Sequence, residues 1–215
     1  MEIESAGGLA SVAACMKLDI PAGDFAGYIF DLDGTLIDSM PIHYIAWNEA
    51  MRRAGLRETL SEDLFYSLGG VPTRRVAELI GLHYGLTVDV EHVFHEKEAL
   101  FAERLAGVKL IEPVVALARE IARTRPVAIA SGGPRDIVEL SLKLSGLAAL
   151  FPVVVSADDV GPTRGKPAPD MFLLAAKRMG VAPERCLVFE DAEPGMRAAE
   201  AAGMPWVRVA SRVAR

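Results

Sequence analysis

The chain predicts an α/β fold, a doubly wound parallel sheet with an inserted α-helical domain. Three observations predict it. Short apolar runs alternate with helical stretches through the second half of the 215-residue sequence, the pattern of a sheet assembled from βαβ units. Those runs are continuously apolar, as strands covered on both faces are. And about 100 residues separate Asp31, at the end of the first run, from Ser131, at the end of the second, where a simple crossover helix needs only a few tens.

Taken in order, residues 27–32 form the first strand: Tyr28, Ile29 and Phe30 are its apolar run, and Gly34 lets the chain turn away. The insertion follows. Trp47, Met51 and Ala54 fall on one face of a helix from about Pro41; Val76, Leu79, Ile80 and Tyr84 make a second stripe, and Val93, Leu100, Phe101 and Leu105 a third. The inserted domain is residues 39–111, with hinges near Asp38–Met40 and Lys109–Pro113. The core domain is discontinuous, residues 1–38 and 112–215. Its second part reads as strands at 126–131, 152–156, 186–190 and 205–209 and helices at 113–124, 134–145, 168–180 and 194–203.

The first strand delivers two carboxylates, Asp31 and Asp33, to its C-terminal edge. Residues two apart on a strand project to the same side, and open α/β sheets bind ligands at this edge. One carboxylate can attack an electrophile while the other handles protons. Two like charges this close call for a shared cation, and hard oxygen donors favour Mg²⁺. The pair therefore points to attack on phosphorus, although Asp-Gly alone is also common in turns.

Two further segments carry the same chemistry. Val127–Ala130 is an apolar run ending in Ser131, Gly132 and Gly133. The hydroxyl can donate to a phosphate oxygen, and the glycines allow close backbone approach. A helix beginning near Pro134 would aim its N-terminus at the same anion. Lys166, between Gly165 and Pro167, can neutralise phosphate, though a lysine is usually a solvated charge. Glu190 and Asp191 cap the strand from Cys186 and suit metal ligation; they also suit the acidic first turn of the helix at 194–203.

Together, DLDGT (31–35), SGG (131–133), GKPAPD (165–170) and FEDAEPGM (189–196) resemble, in the same order, the motifs of the haloacid dehalogenase-like phosphohydrolase superfamily. Four motifs in order are specific where any one is weak. The resemblance covers roughly residues 26–210 and implies a Rossmann-like core whose cap domain, the insertion at 39–111, closes over the active site and excludes water. It implies Asp31 as the nucleophile that becomes an aspartyl-phosphate, Asp33 as the general acid/base, and Thr35 as the residue orienting the pair. Ser131 and Lys166, with Gly132 and Gly133, would hold the phosphate. Mg²⁺ would lie between Asp31, the backbone carbonyl of Asp33 and Asp191, with Glu190 directly or through water.

The stretches Asp38–Trp47 and Leu68–Arg74 resemble the β-phosphoglucomutase-like branch, and Phe172–Gly180 and Phe189–Ala192 its sugar phosphatases of the fructose-1-phosphate and 6-phosphogluconate type. In that branch the cap positions of His43 and Lys97 contact the site. A lone histidine is as readily structural, and an i,i+4 pair with a nearby acid also explains Lys97. Where the mutases place an arginine after the glycine at 70, Thr73 stands here, followed by Arg74 and Arg75. Thr73 and Arg74 are the loop residues expected to meet substrate.

The expected function is a Mg²⁺-dependent phosphatase acting on a small phosphate ester, a sugar phosphate. A sugar phosphomutase is the alternative, and Thr73 argues against it. Asp33 argues against a dehalogenase, and a phosphonatase would need a Schiff-base lysine that Lys97 is not placed to supply. A phosphate-binding regulator without catalysis is a third reading, against which both aspartates stand.

Composition narrows the partners. A length of 215 residues and 51% hydrophobic content allow a sizeable core. A formal net charge of −6 without a basic stripe argues against nucleic acid. No hydrophobic run reaches transmembrane length. Gly8–Cys15 is mildly apolar but follows Glu2 and Glu4, unlike the basic start of a signal peptide. Cys15 and Cys186 make no disulfide framework and fit a reducing cytoplasm. A monomer or weak dimer is expected, and residues 1–24 have no assignable role.

Overall fold

The structure is a computed structural model that describes residues 18–210. The Gly8–Cys15 stretch lies outside the described residues. Among those described, five parallel strands form one sheet: β1 (Gly27–Phe30), β2 (Val127–Ala130), β3 (Val153–Val155), β4 (Cys186–Glu190) and β5 (Trp206–Arg208), in the order β3-β2-β1-β4-β5. The order reverses between β1 and β4, and a ligand crevice opens outside the carboxyl ends of the strands at such a reversal. Asp31 follows β1 and Glu190 ends β4, so two of the candidate acids are neighbours because their strands are.

The central strands β1, β2 and β4 carry apolar side chains on both faces because helices cover both. Phe30, Ile129, Leu187 and Phe189 face α5 (Glu112–Ile121) and α6 (Arg135–Leu144), and the Phe30 and Phe189 rings stack at 4.6 Å. Ile29, Ala128, Ala130 and Val188 face α8 (Asp170–Met179) and α9 (Glu193–Ala201). The small alanines of β2 and of these helices let the layers approach closely. Cys186 is buried and free, and burial, with Glu184 nearby, pushes its thiol up to about 11.

Four helices lie between β1 and α5: α1 (Met40–Arg53), α2 (Glu62–Ser67), α3 (Thr73–His83) and α4 (Val90–Arg104). Trp47, Met51, Val76, Ile80, Leu100, Phe101 and Leu105 form a core of their own, against which Ile137 and Leu140 of α6 also pack. Ala54 and Tyr84, expected on the stripes, are half-buried at its margin, and Leu79 is half-buried outside it. The two chain segments entering and leaving this layer run side by side: Asp38 N donates to Lys109 O at 2.8 Å and Ile111 N to Leu36 O at 2.9 Å.

Three details differ from the sequence expectation. The first strand stops at Phe30, because Leu32 turns and its carbonyl accepts from the amides of Leu36 and Ile37. The six-residue α2 is too short to show a stripe; it is started by the Ser61 hydroxyl, which accepts from Leu64 N at 3.3 Å, and by Glu62 and Asp63 in its first turn. A single-turn helix, α7 (Ala157–Val160), follows β3 and is closed by a capping box between Ser156 and Asp159.

Asp159 ties the loop after β2 to its surroundings. Its carboxylate accepts from Ser156 N at 2.7 Å, from Arg178 at 2.7 Å, from the Ser156 hydroxyl at 2.9 Å and from Arg135 at the start of α6. Burial alone would raise this carboxyl; the Ser156 amide, Arg178, the Ser156 hydroxyl and Arg135 outweigh it and hold it at about 2. A depressed carboxyl contributes stability that is complete above its unfolded value of about 3.9 and is lost as pH falls through the folded value. Asp159→Asn is therefore expected to lower stability by about 2 kcal/mol at pH 7, measured by urea unfolding. The deficit should shrink as the pH falls below about 4; equal stability at pH 7 would show that these bonds contribute nothing.

Candidate active site

The site is built from strand ends. Asp31 N donates to the Phe189 carbonyl at 2.9 Å, a ladder bond that fixes the carboxylate at the edge of the sheet. Lys166, wholly buried in the segment before α8, donates to Asp31 Oδ1 at 2.6 Å and to Glu190 Oε1 at 2.5 Å. Burial alone would strip the ammonium of its proton; Asp31 and Glu190 outweigh it and hold its pKa above the usual lysine value. Lys166 is therefore cationic. Burial pushes Asp31 well above the ordinary carboxylate range; Lys166 opposes the rise, while Glu190, Asp191 and Asp33 add to it.

Asp33 is held by the cap. Ser39 Oγ donates to its Oδ1 at 2.6 Å, His43 Nε2 lies 3.1 Å from the same oxygen, and Ser131 Oγ reaches Oδ2 at 3.4 Å. Burial alone would raise the carboxyl, but His43, Ser39 and Lys97 hold it below its usual range. Burial and the Lys97 charge also lower the pKa of His43. His43 thus sits under opposing influences, burial and Lys97 disfavouring its charged form and Asp33 and Glu98 favouring it. The His43 ring lies flat on Phe101, centroids 3.8 Å apart.

The loop after β2 is anchored at both ends. Ser131 N donates to Val155 O at 3.0 Å, and Ala157 N to Gly133 O at 3.1 Å. Ser131 Oγ accepts from Gly133 N at 3.2 Å. The first turn of α6 begins at Arg135 behind Pro134; its Arg135 N donates to Asp158 Oδ2 at 2.8 Å and its Ile137 N to Asp136 Oδ1 at 2.9 Å. Gly132 is glycine for a steric reason: a Cβ there would come 2.2 Å from the Gly70 carbonyl oxygen. Gly70, at a φ of 76°, would place its own Cβ 3.1 Å from Lys166 Cδ. The cap loop Leu68–Pro72 therefore rests directly on the Ser131 loop and on Lys166.

Asp31, Asp33, His43, Thr73, Lys97, Ser131, Gly132 and Gly133 line one cavity between cap and core. Arg74 does not join them: it pairs with Glu91 at 2.7 and 3.0 Å and lies over the Phe94 ring at 3.7 Å, outside that cavity. Thr35 is fully buried behind the turn, and its hydroxyl has no hydrogen-bond partner among the described residues. Lys97 pairs with the adjacent Glu98 at 3.0 Å; the positions four residues away are Val93 and Phe101, and its other neighbour, Glu96, bonds Arg53.

Two polar residues of the site were not singled out from the sequence. Ser39 precedes a helix with Pro at its second position and reads as an N-cap, yet its hydroxyl makes no capping bond and turns to Asp33. Glu98 lines the cavity. Its signal is positional: it sits at i+4 from Phe94 and i−3 from Phe101, a carboxylate inside an apolar helical stripe.

Asp31, Glu190 and Asp191 each offer a carboxylate oxygen, all within 4.8 Å of one another. Gly34 makes room for this cluster, since a Cβ there would sit 2.2 Å from Asp191 Oδ2. Three hard oxygen donors and the excess negative charge that raises Asp31 fit a divalent cation.

The chain is similar to known proteins over most of its length. The haloacid dehalogenase-like hydrolase family matches residues 25–203. Fructose-1-phosphate phosphatase YqaB of Escherichia coli (strain K12) is 41% identical over 186 residues, 86% of this chain and 96% of that protein. Hexitol phosphatase A of the same organism is 34% identical over 179 residues, 82% of this chain and 79% of that one. The crystal structure of a hydrolase from Pseudomonas syringae superposes with a TM-score of 0.76 at 27% identity, covering 84% of this chain and 83% of that one.

The carboxylate cluster can be tested without turnover. Mg²⁺ at ten times its dissociation constant should stabilise the folded chain by about 1.4 kcal/mol, a rise of a few degrees in the melting temperature. Asp191→Asn should lose the rise. A wild-type melting curve indifferent to Mg²⁺ and to other divalent cations would exclude the cluster as a cation site.

Proposed function

Because the chain belongs to the haloacid dehalogenase-like hydrolase family and is a phosphoric monoester hydrolase, we propose that it is a Mg²⁺-dependent phosphatase of a sugar or sugar-alcohol phosphate, working through an aspartyl-phosphate on Asp31. The observation that carries the reading is the pairing of Asp31 with the buried Lys166, beside Ser131 and under a cap whose inner wall mixes charged and apolar side chains.

In the proposed reaction an Asp31 carboxylate oxygen attacks phosphorus. The bond from phosphorus to the leaving alcohol breaks, and Asp33 gives that alkoxide its proton. Asp33 then takes a proton from water as the water oxygen attacks phosphorus, releasing inorganic phosphate and the Asp31 carboxylate. In the structure Asp33 is the ionised form that the second half needs. An incoming phosphate dianion beside it raises its proton affinity, which favours the acid form that the first half needs. Ser131, the amides of its loop and Lys166 hold the phosphoryl oxygens. Asp31, the Asp33 carbonyl and Asp191 would hold Mg²⁺, which shields phosphate charge; Glu190, whose two oxygens already accept from Lys166 and from Ala192 N at 3.0 Å, would act through water. Residues 39–111 act as a lid hinged where Asp38 and Lys109 pair.

A sugar phosphomutase needs a basic grip on a second phosphate. Thr73 instead donates to Glu98 at 2.6 Å, and Arg74 is committed to Glu91; both favour hydrolysis. The cytoplasm, where thiols stay reduced, suits the free Cys186, and no helix among the described residues is long and apolar enough to cross a membrane.

Phosphate release across a panel of sugar, sugar-alcohol and nucleoside phosphates tests the reading: efficient release from sugar or sugar-alcohol monophosphates is expected. Conversion of a hexose 1-phosphate to its 6-phosphate without release would establish the mutase instead. Asp31→Asn should abolish turnover. Asp33→Asn should slow it by about 10²–10⁴-fold, the usual loss for a missing general acid/base; a loss under about threefold would reject that role.

A further inference from the structure

One residue of the cavity lining, Glu98, carries a carboxylate oxygen that the proposed chemistry does not use. Glu98, on α4, is only 6% exposed. Its Oε1 accepts from Thr73 Oγ1 at 2.6 Å and from Lys97 Nζ at 3.0 Å. Its Oε2 is equally buried and accepts nothing from the described residues. Native proteins rarely leave such an acceptor unmet, because the loss is about 1–3 kcal/mol and more for a charged group.

The chemistry around Oε2 restricts what can meet it. A phosphate oxygen cannot, since two anions repel at this range. A second cation is disfavoured by Lys97, already bonded to the same carboxylate. A neutral hydroxyl fits: it donates to Oε2 and can accept from the Lys97 ammonium, as an alcohol on a carbon chain does. Trp47, Phe65 and Val76 line the same cavity and offer apolar contact for the C–H faces beside such hydroxyls.

We propose that Glu98 Oε2 accepts a hydrogen bond from a hydroxyl of the leaving group, so that the Thr73–Lys97–Glu98 cluster selects polyhydroxylated phosphate esters. The inference rests on the sugar-phosphate reading above and names the cap residue that enforces it. Selection of this kind is strong because a substrate lacking the hydroxyl leaves the buried oxygen unpaired.

The test compares kcat/KM for a hexitol phosphate or hexose 1-phosphate with that for p-nitrophenyl phosphate, in the wild type and in Glu98→Gln. The ratio is expected to fall at least about tenfold in the variant, as loss of a hydrogen bond to a charged acceptor requires. A purely structural role would depress both substrates together and leave the ratio within about twofold, which would overturn the proposal. Should Glu98→Gln fold poorly, singly deoxygenated analogues of the preferred substrate serve on the wild type. At least one should lose about tenfold in kcat/KM; hydrolysis of all of them within about twofold of the parent would also overturn it. A wild type that hydrolyses p-nitrophenyl phosphate but no sugar or sugar-alcohol phosphate would overturn the underlying reading, whereas a preference for polyol phosphates that survives Glu98→Gln would overturn the role of Glu98 alone.

Discussion

The rest of the site depends on one buried ammonium. β1 and β4 are adjacent, so their carboxyl ends crowd Asp31, Glu190 and Asp191 together. Without a cation this cluster is electrostatically untenable. Lys166 reaches it from 135 residues beyond Asp31 in the chain and bridges Asp31 to Glu190. Each partner then relies on the others: removing one charge of a buried group leaves the rest uncompensated, at a cost of about 3–5 kcal/mol. The bridge thereby sets where a nucleophile at Asp31 stands relative to the acids that can hold a divalent cation.

The cap is more than a cover. The core supplies Asp31, Lys166 and the Ser131 loop, whose chemistry concerns any phosphate ester. α1 supplies His43, and the residue before α1 is Ser39; both hold Asp33. α4 supplies Lys97 and Glu98, which line the same cavity. Asp33 is accordingly the acid held by both layers, and the contact of Gly132 with Gly70 is the seam along which they meet. A difference in substrate between this chain and a relative would be sought first on α4 and in the Leu68–Arg74 loop, not in the strand ends.

Much of the core was legible because its signals are local. A strand covered on both faces is a continuous apolar run, and an acid or hydroxyl just past such a run lies at the ligand edge, as Asp31, Ser131 and Glu190 do. The three long cap helices were legible from their stripes. What escaped notice was short or depended on distant contacts. α2 and α7 have too few turns to show a period. Ser39 looks like an ordinary cap until its hydroxyl is seen on Asp33. Glu98 is a carboxylate inside an apolar stripe, and nothing in its own helix foretells that α3 brings Thr73 to it across 25 residues. Arg74, plausible by position, is drawn off by Glu91 and Phe94, neither of which its own loop foretells.

The central claim is that Asp31 itself bonds to phosphorus, and the stereochemical course at phosphorus tests it most directly. With a substrate made chiral at phosphorus by isotopic oxygen, transfer first to Asp31 and then to water is two in-line displacements. The account predicts net retention of configuration. Inversion would mean that water attacks the substrate directly, and would contradict it.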